Sequence, residues 1–135
     1  MIAVDSSVVI AAFASWHERH HAATAVLKRD PRLVAHAAVE TYSVLTRLPP
    51  PHRAEATLVE EFLRQRFGTP LLCLPERRHR DLITTMAKAQ ILGGRIYDAM
   101  IGLTAAEHGA TLITLDHRAA LIYDMVGAST ELPGA

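Results

Sequence analysis

One cysteine, Cys73, stands in a chain of 135 residues. No intramolecular disulfide can form, which excludes the disulfide-stapled scaffolds and favours a reducing cytoplasm. Within "PLLCLP" that cysteine reads as a small core hydrophobe. Net charge is missing too, because 14 Lys and Arg balance 14 Asp and Glu. Such a chain has no global attraction for nucleic acid, so a ligand of that kind needs a local basic patch. Long apolar runs are absent. The longest, "VVIAAFA", falls far short of the roughly 20 residues that cross a bilayer. The first residues lack the basic region of a signal peptide, and Asp5 interrupts their apolar run. No repeat, low-complexity tract or linker appears. These absences leave a soluble cytoplasmic protein as the expectation.

What remains is 50% apolar, enough to pack one core in a chain of single-domain length. The runs "MIAVD", "RLVAH", "PLLCLP" and "ATLITLD" predict strands, and "VGASTEL" a weaker one. Between them lie helical patterns: "SSVVIAAFA", capped by Ser6 or Ser7; "HERHHAATAVLKRD"; "AAVETYSVLTRL", stopped by "PPP"; "HRAEATLVEEFLRQRFG", ending at Gly68; "ERRHRDLITTMAKAQIL"; and "YDAMIGLTAAEHG". Apolar strands alternating with helices predict an α/β fold around a mostly parallel sheet.

In such sheets ligands bind beyond the carboxyl ends of the strands. Asp5 ends the first run and Asp116 ends "TLITLD". Asp98 and Glu40 are placed in the first turns of helices that begin at the same rim. Each acid has an ordinary reading: Asp5 and Asp116 as helix caps, Asp98 and Glu40 as first-turn acids favoured by the macrodipole, Glu40 on a solvated face. Four at one edge are harder to explain so. Two like charges ~4 Å apart repel by about 4 kcal/mol at an effective dielectric of 20. A cluster of them must take up protons or a cation, and an all-oxygen set suits Mg2+ or Mn2+ rather than zinc. Ser6 and Thr114 set hydroxyls beside it.

In this order, "IAVDSSVVIAAF", "AAVETYSVLTRL" and "IYDAMIGLTAAEHGATLITLD" resemble the PIN domain, and within it the VapC toxins of bacterial toxin–antitoxin pairs. The resemblance runs from the first strand to about residue 118 and implies one PIN-like domain over residues 1–135. It implies a three-layer fold, with a parallel sheet flanked by helices, and a Mg2+-dependent endoribonuclease. It also implies a homodimer inhibited by a cognate VapB-type antitoxin that lays a segment across the cleft. Asp5, Glu40, Asp98 and Asp116 match the family's acidic quartet, with Asp5 and Asp98 at its firmest metal positions. Ser6 and Thr114 match its hydroxyl positions. The implied chemistry is phosphodiester hydrolysis: Asp5 and Asp98 hold the ion, Asp116 a ligand water or second ion, and Glu40 orients or deprotonates the attacking water.

Other features invite weaker readings. His17, His20 and His21 have the spacing of zinc ligands on a helix, though a solvated face is the simpler account. His36 reads as a packed or rim histidine. Arg64, Arg66, Arg77, Arg78 and Arg80 form a candidate RNA contact. Tyr42, Leu45, Leu58 and Phe62 read as core, or as a groove for an antitoxin helix. A phosphatase or phosphotransferase of another α/β family also places Asp after its first strand. Here Ser7 stands where the haloacid-dehalogenase-like pattern wants a second Asp, and "LITLDHR" lacks a receiver domain's lysine. A PIN-like binding module without catalysis is the other alternative.

Overall fold

The computed structural model describes residues 1–134. Four short strands, β1 (Ile2–Val4), β2 (Arg32–Leu33), β3 (Thr111–Ile113) and β4 (Ser129–Glu131), form one sheet in the order β2-β1-β3-β4. All three pairings are parallel. Seven helices connect and flank them: α1 (Ser6–Phe13), α2 (His20–Leu27), α3 (Ala35–Arg47), α4 (Ala56–Arg66), α5 (Glu76–Ala89), α6 (Arg95–Glu107) and α7 (His117–Met125). The α/β class read from the alternation of runs is the one found. No helix among the described residues is long and apolar enough to cross a membrane.

The central strands are apolar because both faces are covered: Ala3, Val4, Leu112 and Ile113 are fully buried. α6 is enclosed on two sides. Ile101 and Ala105 join the core under the sheet, while Ala99 and Leu103 pack against Leu82 and Met86 of α5. Where α6 crosses α7 the backbones approach closely at Gly102. A Cβ there would stand 2.9 Å from the Tyr123 ring, 2.9 Å from Val126 Cγ2 and 3.0 Å from Tyr123 Cα. Gly102→Ala improves helix propensity by about 1 kcal/mol, but overpacking against a backbone atom costs about 1–3 kcal/mol. We expect a net loss of stability, read as a lower urea midpoint with an unchanged slope.

Several expectations need correction. "PLLCLP" is no strand; Leu72 alone pairs, donating to Leu33 and accepting from Ala35 in a single bridge with Val34. Pro70 and Pro75 bracket the run and bring no N–H to a ladder. Cys73, beside that bridge, is exposed rather than in the core. β2 stops at Leu33, so His36 lies in the first turn of α3 and Glu40 a turn deeper than expected. α5 ends at Ala89, before the double glycine, with Gln90 in the left-handed region at φ 56°. Phe67, not Gly68, caps α4. His17 precedes α2, and its Nδ1 accepts from Arg19 N, while His20 Nδ1 lies 2.8 Å from Ala11 O. The histidines therefore do not share one helical face. Leu45 is buried and Phe62 half-buried, whereas Tyr42 and Leu58 are exposed.

Candidate active site

A parallel sheet sends every strand's carboxyl end to one rim. α1, α3 and α7 leave that rim after β1, β2 and β3, and α6, which feeds β3, starts there. The chain therefore delivers Asp5, Glu40, Asp98 and Asp116 to one place from four elements.

Asp5 is the N-cap of α1 and is 2% exposed. Its Oδ1 accepts from Ser7 Oγ (2.6 Å) and Val8 N (3.3 Å). Its Oδ2 accepts from Thr114 Oγ1 and from Tyr123 OH (2.8 Å). Four donors occupy the roughly four lone-pair positions of a carboxylate. Burial pushes the Asp5 carboxyl upward, against the four donors that favour its charge. The Tyr123 phenol is also pushed up, by its own burial and then by the charge of Asp5, so it stays protonated and donating. Ser7 serves two partners, accepting from Leu115 N at 2.9 Å while donating to Asp5. It thereby ties the turn after β1 to the turn after β3. Thr114 works in the same way, donating to Asp5 and accepting from Asp116 N at 3.0 Å.

Asp116 caps α7, its Oδ1 accepting from Arg118 N (2.9 Å) and Ala119 N (3.1 Å). The cap readings of Asp5 and Asp116 are therefore correct, yet they do not compete with a second role. Each cap places a carboxylate at the rim. Glu40 is half-buried and accepts from Ser6 Oγ, so the solvated-face reading fails for it. Asp98, in the first turn of α6, is half-buried and pushed up to about 6. Its burial is the largest cause, followed by the negative charges of Glu40, Asp116 and Asp5, with Arg95 pulling the other way. Three acids distant in sequence thus act on one carboxyl.

This shift has a testable sign. The folded chain holds the Asp98 proton more tightly than the unfolded chain, whose value is near 3.8. Stability from that proton is complete below about pH 4 and is lost as pH rises through about 6. In EDTA, the wild-type chain should gain stability relative to Asp98→Asn as pH falls from 7 to 4. Denaturant titrations across that range read the difference, and a flat difference contradicts the shift.

Between Asp98 and Asp116 opens a cavity of about 430 Å³, lined also by Arg95, Arg118 and Leu121. A second, of about 490 Å³, adjoins it through Asp116 and Arg118 and reaches Ser7, His17 and Arg19. Arg95 and Arg118 were not singled out by sequence reasoning. Their signal was position: both lie in the first turn of a helix, where the macrodipole disfavours a cation. Tyr123, one aromatic in a helical pattern, carried no signal. The arginines that were singled out lie elsewhere. Arg77 and Arg78 pair with Glu107, and Arg64 pairs with Glu60. Glu107 ends α6, 12 residues and about 18 Å of helix from Arg95.

Among the described residues no three His, Cys, Asp or Glu side chains stand together closely enough to clasp a metal. That argues against a closed zinc cage. A hard ion that keeps most of its waters would ask for only one or two carboxylates directly, which Asp98 and Asp5 could offer. The charge fits as well, since Asp98 carries three acidic neighbours against one cation. Asp98 has room for an ion. Asp5 can free a lone pair if the Ser7 and Thr114 hydroxyls, 3.3 Å apart, bond to each other.

Residues 2–124 match the sequence profile of the PIN domain. The chain is 47% identical over 132 residues to Ribonuclease VapC40 of Mycobacterium tuberculosis, covering 98% of each protein. It is 42% identical over 127 residues to Ribonuclease VapC27 of the same organism, covering 93% of this chain and 92% of the relative. Among solved structures it resembles a chain in the structure of FitAB bound to an IR36 DNA fragment. The TM-score is 0.66 at 19% identity, over 98% of this chain and 95% of the other. That likeness speaks for the fold. With most of its length matched by the profile and nearly all of it by VapC relatives, the chain belongs to the PIN-domain family, in its VapC-type branch.

Proposed function

We propose that this chain is a Mg2+-dependent endoribonuclease toxin that hydrolyses RNA phosphodiester bonds, with Mn2+ as a substitute ion. The observation that carries the reading is the convergence of Glu40, Asp116 and Asp5 on the half-buried Asp98, whose carboxyl is pushed up first by burial and then by those three charges. VapC relatives that bear the name ribonuclease support it.

Asp98 and Asp5 would hold the ion, which when bound would supply Lewis acidity at the phosphodiester. Asp116 keeps one oxygen on the α7 cap and would have the other free to help hold the ion. Glu40, steadied by the Ser6 hydroxyl, would take a proton from the attacking water as the new P–O bond forms, while the bond to the ribose oxygen breaks and that oxygen leaves as a hydroxyl with a proton from solvent water. Arg95 and Arg118 line the cavity and offset the charge of the phosphates flanking the cut. The remaining partners follow from the VapC-type reading: a homodimer and a VapB-type antitoxin. A cavity of about 340 Å³ lined by Tyr42, Leu63, Phe67 and Leu71 is the candidate seat for an apolar antitoxin segment.

The test is cleavage of total cellular RNA by the purified chain, with 5′ and 3′ ends sequenced. Discrete cuts are expected in Mg2+ and none in EDTA, with a phosphomonoester tested in parallel. Phosphate release from the monoester, with intact RNA, would move the site to the phosphatase alternative. RNA binding without cutting in Mg2+ would favour the non-catalytic module.

A further inference from the structure

We infer that Tyr97, backed by His36, is the stacking platform for a nucleobase beside the scissile phosphate; this rests on the nuclease reading above. The two rings lie nearly parallel, 8° apart in plane with centroids 5.1 Å apart. Tyr97 is nonetheless 49% exposed. His36 supports it from the first turn of α3, four residues before Glu40, and Tyr97 directly precedes Asp98 in the first turn of α6. Residues four apart share a helix face. With the N-terminus of α3 at the rim, His36 stands one turn nearer that rim than Glu40. The stack therefore adjoins two of the four acids along the chain, Asp98 one residue on in α6 and Glu40 one turn on in α3, while His36 itself lines a neighbouring cavity with His79 and Met100.

The physical case has three parts. Every base offers a π-face, so an aromatic plane in water beside a phosphate-binding site is sequence-tolerant affinity. A ring already held by a second ring gives up little rotamer freedom when a base lands on it. Arg95 and Arg118 line the acid cavity, and neither has an ion pair among the described residues. The neighbouring phosphates thus meet free cations while the base meets the ring. A tie between α3 and α6 alone would not need half the tyrosine in water.

The experiment places Tyr97→Leu and Tyr97→Phe in the Asp98→Asn background, where the strand stays whole. Affinity for short single-stranded RNA of random sequence is read by anisotropy. Tyr97→Leu should weaken binding about 5- to 150-fold, the range of one lost base stack, and Tyr97→Phe should bind nearly as before. A strand that the wild-type chain cuts is then resynthesised with an abasic nucleotide at each position in turn. The Tyr97→Leu penalty should vanish when the abasic position lies beside the cut, and persist elsewhere. Unchanged affinity in Tyr97→Leu, with wild-type cutting intact, overturns the platform and leaves the nuclease. A penalty that persists at every abasic position, with a lowered melting temperature, reduces the stack to a structural tie and also overturns it. A wild-type chain that neither binds nor cuts RNA overturns the nuclease reading itself, and the platform with it.

Discussion

Asp98→Asn should abolish RNA cleavage and leave the chain at least as stable as before. The amide keeps the shape of the carboxyl and removes one charge from a set whose members repel it. Above pH 7 and without metal, the melting temperature should therefore hold or rise. In Mg2+ the order should reverse, because the wild-type chain alone gains stability from the ion it binds. The loss of activity should be at least about 10³-fold, since metal stabilisation of a phosphoryl transition state amounts to several kcal/mol and each 1.36 kcal/mol is tenfold in rate. Initial rates on a cut RNA and paired melts of both proteins in EDTA and Mg2+ test each of these expectations. Full Mg2+-dependent activity in the variant would remove Asp98 from the site. A large fall in melting temperature in EDTA would show that the carboxylate holds the fold together instead.

Substitution at Asp5 should behave differently. From sequence alone Asp5 and Asp98 appear equivalent, and either asparagine would be expected to spare the fold. The structure separates them. Asp5→Ala removes the acceptor for Val8 N, a cap contributing about 1 kcal/mol. It also removes the acceptor that Thr114 and Tyr123 share; Thr114 can turn to Ser7, 3.3 Å away, but the buried Tyr123 hydroxyl loses its carboxylate partner. An orphaned buried donor costs about 1–3 kcal/mol. Relief of the buried charge returns part of this, so we expect a net loss of about 3 kcal/mol, or roughly 10 °C in melting temperature. Asp5→Asn should cost less. Its remaining oxygen can still cap α1, and both hydroxyls can turn to accept from the amide. Both variants should be inactive, but only melting curves reveal how much of that is chemistry. Equal melting temperatures for Asp5→Ala and wild type would show that this network contributes nothing to the fold.

The parts of the site visible in the sequence are those tied to chain direction. An Asp at the end of an apolar run lies at the rim of a parallel sheet, whatever packs around it, so Asp5 and Asp116 could be placed from their runs. Asp98 followed from the start of its helix. Glu40 was placed by the same logic but a turn too early, because β2 is two residues long and the helix begins inside what looked like strand. Composition could not foretell that, since Val34 and Ala35 suit either structure. The arginines misled for a related reason. Clustering in sequence says nothing of which end of α6 a side chain meets. The cations at the acids, Arg95 and Arg118, stand singly.

The order of apolar runs and acids determined the α/β class, the rim on which the carboxylates gather and the family likeness, because strand polarity and helix periodicity are local properties that survive any packing. Tertiary structure alone decided the rest. It closed four donors around Asp5, brought the Tyr123 hydroxyl from α7 to Asp5 just past the end of β1, set His36 against Tyr97 and turned Arg77 and Arg78 away to Glu107. These are contacts between side chains far apart in sequence, and their geometry depends on how closely helices approach, down to the missing Cβ of Gly102.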